Sequence, residues 1–262
     1  MTASPASALL RDVAACIGFY TRLPLPAFGM PERGFAAAQW AAPVAGCLIG
    51  AAGGLVLLFS LWLGLPATVA AALALAATMA LSGALHEDGL ADVADGFGGG
   101  TTRESKLAIM RDSRIGTYGV AALVLSILLR WSALTALASA ALPALIAAHA
   151  VSRALMPALM ALQPPARDDG LSAGAGKPDG RAVFFALLIG GGVLLVAGTG
   201  LFLIAAPLLA LCLFLVKRLA ERQIGGQTGD VLGALQQAAE TLTLLAATLH
   251  WSPLWFTAGS YT

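Results

Sequence analysis

Windows of about 18 or more mostly apolar residues, the length that crosses a bilayer as a helix, recur along the chain and constrain it more than any motif does. They run over 36–63, 67–85, 117–139, 144–162, 182–197, 201–217 and 230–250. Of the 262 residues, 58% are hydrophobic and 11% charged, too little polar surface to cover the aliphatic side chains of a soluble domain. The expected fold class is therefore all-α, a polytopic integral membrane helical bundle with about seven transmembrane helices. Within 182–217, Gly198, Gly200 and Pro207 fit two short helices or one long kinked helix equally well.

Charge supplies the orientation. The connections LGLP, ALP near 141–143 and GTG at 198–200 are almost uncharged, as is the tail from Trp251 to Thr262. Basic residues gather in the alternate segments: Arg11, Arg22 and Arg33 first, then Arg103, Lys106, Arg111 and Arg114, then Arg167, Lys177 and Arg181, and last Lys217, Arg218 and Arg222. The positive-inside rule then puts the N-terminus in the cytoplasm and the C-terminus outside. The chain reads as a single membrane domain over 1–262, with an interfacial N-terminal segment at 1–35 and a cytoplasmic segment at 86–116. Residues 1–20 do not read as a signal peptide, because Arg11 and Asp12 interrupt the apolar stretch. A net charge of +1, with no basic patch free of acidic neighbours, argues against a nucleic-acid partner. Cys16, Cys47 and Cys212 lack metal spacing and read as packing residues.

HEDGLADVADG, residues 86–96, places acids directly after an apolar window. At about 100° per residue, Asp88, Asp92 and Asp95 fall on one helical stripe and Glu87 points off it. Carboxylates so placed repel one another unless a cation compensates them, and Mg²⁺ is commonly held by one or a few carboxylates plus substrate phosphates. The alternative is solvated loop acids, with Asp88-Gly89 and Asp95-Gly96 as turn dipeptides.

The GFGGG that follows fits a flexible linker or a close approach of backbone to ligand. Thr101 and Glu104 could form a capping box opening a helix over RESKLAIMRDSRIG, with Arg103, Lys106 and Arg114 on one face and Asp112 opposite. A basic stripe beside a metal platform suits a diphosphate, although anchoring to anionic lipid explains the same residues. ARDDGLSAGAGKPDGR at 166–181 and GGQTGD at 225–230 could close over a phosphorylated substrate or serve as ordinary connections, with Asp230 placed as an N-cap. Arg130, Arg153 and Glu240 fall inside windows and need partners there. His86 adjoins the acidic stripe and is a candidate for substrate contact.

Four ordered motifs, HEDGLADVADG, IMRDSRIGTYG at 109–119, GKPDGR at 176–181 and GGQTGDVLGA at 225–234, together with TRLPLP at 21–26, resemble the cobalamin synthase (adenosylcobinamide-GDP ribazoletransferase) family. The resemblance runs from about residue 18 to the end. It implies a multipass enzyme of the bacterial inner membrane, with its active site on the cytoplasmic face, performing the last assembly of the cobalamin nucleotide loop. A ribose hydroxyl of α-ribazole, or of its 5′-phosphate, attacks the cobinamide-linked phosphate of adenosylcobinamide-GDP, and GMP leaves. Phosphoryl transfer of this kind asks mainly for positioning and charge stabilisation.

Carried over by position, the resemblance implies Mg²⁺ on Asp88, Asp92 and Asp95, with Asp95 also the candidate general base. It implies phosphate contacts from Arg111 and Arg114, an accessory acid in Asp112, and substrate contacts from His86, Arg153, Arg167, Lys177 and Asp230. The partners implied are the two substrates and membrane lipid. A corrinoid is large enough that a homo-oligomer, or contact with other cobalamin-assembly enzymes, is also in view. Two rivals compete. A CDP-alcohol phosphotransferase needs Ala-Arg shortly after its first Asp-Gly, where this chain has Asp92-Val93 or Gly99-Gly100. A cation-coupled transporter calls for carboxylates near the bilayer midplane and repeated halves, whereas these acids cluster at the ends of windows.

Overall fold

The computed structural model describes residues 5–25, 31 and 33–250. In chain order its helices are α1 (Pro5–Tyr20), α2 (Phe35–Ala38), α3 (Ala42–Trp62), α4 (Ala67–Ser82), α5 (Leu85–Gly99), α6 (Arg103–Ile109), α7 (Thr117–Leu137), α8 (Ala141–Leu162), α9 (Leu171–Ala175), α10 (Gly180–Ala197), α11 (Thr199–Ile224) and α12 (Gly229–His250). Each of the seven apolar windows falls on a helix. By length and apolarity, four helical runs qualify as membrane spans: Phe35–Trp62, Thr117–Leu162, Gly180–Ala197 and Thr199–Ile224; a fifth is added if α4 and α5 count as one bent span. The second of these is two helices, α7 and α8, broken at Ala138, whose φ is 46°. The 16-residue α4 and α12, which carries Gln236, Gln237 and Glu240, do not qualify alone. Of the two readings open for 182–217, the chain takes two helices, divided at Gly198. The tail from Trp251 lies outside the described residues, as does Pro26 of TRLPLP.

Glycine decides how the long helices meet. A Cβ on Gly46, Gly50 or Gly54 of α3 would stand 2.2 Å from His149 O, 2.4 Å from Leu145 O or 2.9 Å from Leu142 Cα, all in α8. The two helices therefore touch backbone to backbone, the small-residue packing that associates helices where water supplies no drive. Outward, Leu188, Val196, Leu203, Leu211 and Phe214 are exposed, an apolar exterior suited to lipid.

The polar connections collect at one end of the bundle. There the Arg103 Nε donates to Ile224 O at 2.9 Å and the Gln163 amide donates to Lys217 O at 2.8 Å. Gln227 N donates to Pro164 O at 3.0 Å and Ala166 N donates to Gln227 O at 2.8 Å, pairing the two polar loops as a single parallel bridge. The same end receives α1. Its Cys16 and Tyr20 are buried, its Asp12 accepts the Trp40 indole N–H at 2.8 Å, and the Tyr20 hydroxyl donates to Gln39 Oε1 at 2.7 Å. So the segment expected to lie along the membrane surface is docked on the start of α3, with Leu9 and Leu10 left exposed.

Candidate active site

The acidic helix does not continue α4. Gly83 and Ala84 both take left-handed backbone, φ 65° and 53°, and α5 turns through 90° to lie across the end of the bundle. Two glycines then bring it onto α12: a Cβ on Gly89 would stand 2.9 Å from Asp230 O, and one on Gly233 would stand 3.2 Å from His86 Cα. This contact sets Asp88 and Asp92 near Asp230. The Asp92 carboxyl is pushed up to about 7 by burial and by the charges of Asp88, Asp230 and Asp95, with Arg167 opposing. Uncompensated negative charge of this kind is what a bound cation relieves.

Asp88 lines two cavities. The first, about 240 Å³, is lined by the apolar Phe19, Tyr20, Phe35, Met156 and Met160 and by the polar His86, Asp88, Arg167 and Asp230. The second, about 480 Å³, is lined by Asp88, Asp92, Arg111, Asp112 and Arg114 with the apolar Met79, Leu123 and Ile127. Three ion pairs tie the loops between them: Arg111 to Asp169 at 2.6 Å, Arg167 to Asp169 at 3.7 Å, and Arg167 to Asp230 at 3.5 Å. Thr228 donates its hydroxyl proton to the Asp230 carboxylate at 3.1 Å.

Beneath the site lies a buried ionic network. Arg130 pairs with Glu87 at 3.1 Å and Glu240 at 2.9 Å, and Glu240 meets His149 Nδ1 at 3.0 Å. Gln236, whose Nε2 lies 3.0 Å from Ser152 Oγ, donates to Glu240 at 2.7 Å. Arg153 reaches His149 Nδ1 at 3.0 Å and His86 Nδ1 at 3.4 Å. The His86 side chain thus has a guanidinium at one ring nitrogen and also lines the first cavity. The partners that Arg130, Arg153 and Glu240 needed are thus one another, two histidines and Glu87. Glu87, the acid that points off the stripe, is spent here.

Residues 12–248 match the model of the family described as cobalamin-5-phosphate synthase. The chain belongs to that family. It is 55% identical over 243 residues to the adenosylcobinamide-GDP ribazoletransferase of Bradyrhizobium diazoefficiens, covering 91% of this chain and 94% of the relative. To the proteins of the same name from Mesorhizobium japonicum and Azorhizobium caulinodans it is 52% and 48% identical, with 95% and 94% of this chain covered and 96% and 98% of the relative. No solved structure matches. Membership in the cobalamin-5-phosphate synthase family sets aside the CDP-alcohol phosphotransferase and transporter readings.

Within this family member the predicted site residues separate. His86, Asp88, Arg167 and Asp230 line the first cavity, and Asp88, Asp92, Arg111, Asp112 and Arg114 the second. Asp95, Arg153 and Lys177 line neither. Asp95 is buried, and its Oδ2 and Oδ1 accept the backbone N–H groups of Gly116 at 2.7 Å and Gly119 at 2.9 Å. Its geometry is that of a cap on the start of α7, and it favours neither the metal ligand nor the base expected at that position. Arg153 is buried against His86 and His149, and Lys177 is exposed on the loop before α10, where Asp179 caps the helix by accepting Ala182 N–H at 2.7 Å.

The basic stripe also dissolves. α6 ends at Ile109, so Asp112 and Arg114 are neighbours in a loop, joined at 2.6 Å, and Arg114 holds the Asp112 carboxyl well below the usual range. Arg103 binds carbonyls of Ile224 and Ala166, and Lys106 binds Gln223. The cap is Thr102 with Ser105, not Thr101 with Glu104. GFGGG admits protein rather than ligand: α5 runs through it to Gly99, and a Cβ on Gly96 or Gly98 would meet Met110 at 2.4 Å or Tyr118 at 2.7 Å.

Sequence reasoning missed Asp169 and the aromatic wall of Phe19, Tyr20 and Phe35. Asp169 sits in the quoted ARDDG, but nothing in its spacing points to Arg111. Tyr20 directly precedes TRLPLP, the one signal that this segment joins the site.

The donor set fits a hard cation in part. Among the described residues no group of three His, Cys, Asp or Glu side chains stands ready to hold a metal. Asp88 and Asp92, mutually repelling and on one wall, suit a magnesium ion whose remaining ligands are substrate phosphates and water.

Proposed function

We propose that this chain is an adenosylcobinamide-GDP ribazoletransferase: it joins adenosylcobinamide-GDP to α-ribazole or its 5′-phosphate and releases GMP. Its relatives' names support the substrates. The single observation that carries the mechanism is Asp88, whose carboxylate faces two cavities, so that the acids stand where two substrates meet.

In this reading Arg111 and Arg114 hold the diphosphate in the second cavity, where guanidinium groups suit phosphate oxygens. Asp88 and Asp92 hold magnesium there, which when bound neutralises charge on the phosphates and on the leaving GMP. Asp230, close to Asp88 in the lining of the first cavity, accepts the proton of the attacking ribose hydroxyl; burial raises its pKa, and Arg167 with Thr228 keeps it oriented. The hydroxyl oxygen bonds to the cobinamide-linked phosphorus as the bond to GMP breaks, and no protein nucleophile is needed. Concentration of basic side chains at the site end supports a cytoplasmic active site in a bacterial inner membrane, and the exposed apolar exterior supports lipid around the helices.

The test is GMP release by the purified protein from adenosylcobinamide-GDP and α-ribazole, with the corrinoid product identified by mass. EDTA should stop it and Mg²⁺ restore it. Asp88→Asn should lose at least about a hundredfold in kcat. A folded wild type that releases no GMP from this pair sinks the assignment, and full turnover in EDTA sinks the metal.

A further inference from the structure

We infer that the first cavity is the α-ribazole site, with its base held by Phe19, Tyr20 and Phe35; this rests on the transfer reaction proposed above. α-Ribazole is a nucleoside of divided chemistry, a flat benzimidazole with an apolar rim joined to a ribose bearing hydroxyls. The lining of the cavity carries the same two chemistries. Phe19 lies 4.9 Å from Tyr20 and 4.8 Å from Phe35 between ring centroids, and Tyr20 stacks on His86 at 5.8 Å. Met156, Met160 and Leu232 add apolar surface to the lining. Because the Tyr20 hydroxyl is already bonded to Gln39, Tyr20 offers its ring and not its oxygen. Flat rings and flexible thioethers are the surfaces that take up an aromatic guest.

The polar groups fit a ribose. Asp88 and Asp230 can accept hydrogen bonds from its hydroxyls, and Arg167 can donate to them. Adenosylcobinamide-GDP suits this cavity badly. Its guanine edge, a row of hydrogen-bonding groups, would face thioethers and phenyl rings, and this lining offers its diphosphate one guanidinium, Arg167, against two, Arg111 and Arg114, in the second cavity. The second cavity, twice as large and carrying Arg111 and Arg114, takes the diphosphate end. The attacking hydroxyl then enters from the first cavity and the phosphorus from the second, and they meet at Asp88.

The experiment separates the two Michaelis constants. In steady-state GMP release, Phe35→Ala should raise KM for α-ribazole about tenfold, the loss of one ring contact in a desolvated site, with kcat and the KM for adenosylcobinamide-GDP within about twofold of wild type. Phe35→Leu, which retains most of the apolar volume, should fall between. A rise confined to adenosylcobinamide-GDP, or no change in either constant, overturns the assignment. Equilibrium dialysis of labelled α-ribazole against the detergent-purified protein reads the cavity without turnover. Wild type that binds α-ribazole, with weaker binding by Phe35→Leu, supports the cavity even if no GMP is released, in which case only the reaction fails. Undiminished binding by a folded Phe35→Leu overturns the cavity while leaving the reaction intact.

Discussion

Replacing Asp95 with asparagine separates structure from chemistry in the acidic stripe. The buried carboxylate accepts two backbone N–H groups, Gly116 at 2.7 Å and Gly119 at 2.9 Å, at the start of α7. Asparagine keeps one acceptor oxygen and turns a donor toward the other N–H. One charge-assisted bond, worth about 1.5–3 kcal/mol, is lost and the survivor weakens to a neutral one, so Asp95→Asn should cost about 2–4 kcal/mol. At about 2–4 °C per kcal/mol, the unfolding midpoint falls by roughly 4–16 °C. A thiol-reactive fluorophore can follow this on the detergent-purified protein in a Cys47→Ala background, which removes the partly exposed thiol, because Cys16 and Cys212 are buried and free and react when the helices that carry them leave the bundle. GMP release at low temperature, where the variant remains folded, should stay within about tenfold of wild type, with an unchanged requirement for Mg²⁺. A normal midpoint together with lost turnover and a shifted Mg²⁺ requirement would refute the capping role and return Asp95 to the metal.

Arg130→Met strands the buried Glu87 and takes one partner from Glu240, which keeps His149 and Gln236, and should cost about 3–5 kcal/mol, whereas Glu87→Gln leaves the Arg130–Glu240 pair at 2.9 Å intact and should cost less than half of that in the same melting assay; an inverted order refutes the network. Gly233→Val inserts a branched side chain where even a Cβ would stand 3.2 Å from His86 backbone atoms. It should destabilise by about 1–3 kcal/mol and, by prising α5 from α12, lower kcat more than tenfold, and wild-type kinetics would show that the contact does not position the acids. Asp169→Ala removes the exposed pair with Arg111 and a long 3.7 Å contact with Arg167, which keeps Asp230, so it should leave the melting midpoint within about 2 °C while freeing Arg111, and the KM for adenosylcobinamide-GDP is the constant expected to move.

The helices were legible because apolar windows carry no rival reading at this composition. Crossing the bilayer was less so: the window at 230–250 looks like the others, yet α12 turns Gln236, Gln237 and Glu240 inward to a network whose other members lie on α5, α7 and α8. Periodicity placed Asp88, Asp92 and Asp95 on one stripe, but a stripe does not say what it faces. Along α5 the environment changes from exposed at Asp88 to buried at Asp95, so three acids of equal standing divide into two that meet cavities and one that caps a helix. The basic stripe failed for a local reason, since the helix assumed through Arg114 ends at Ile109. The aromatic wall was invisible because its rings come from α1 and α2, brought together by burial contacts that leave no mark in spacing.

The bend between α4 and α5 has a mechanical consequence. Arg22 N donates to Leu81 O at 2.8 Å, and the Arg22 guanidinium lies where a Cβ on Gly83 would be, with Nε 2.1 Å from that position. Arg22 follows Tyr20 by two residues, so the strand of chain that carries the aromatic wall is riveted to the joint that aims the carboxylates. Displacing α1 pulls on α5 as well, and the pocket for one reactant cannot loosen while the acids between the reactants stay still. Gly83 and Arg22 therefore behave as one component, and a change tolerated at either should depend on the residue at the other.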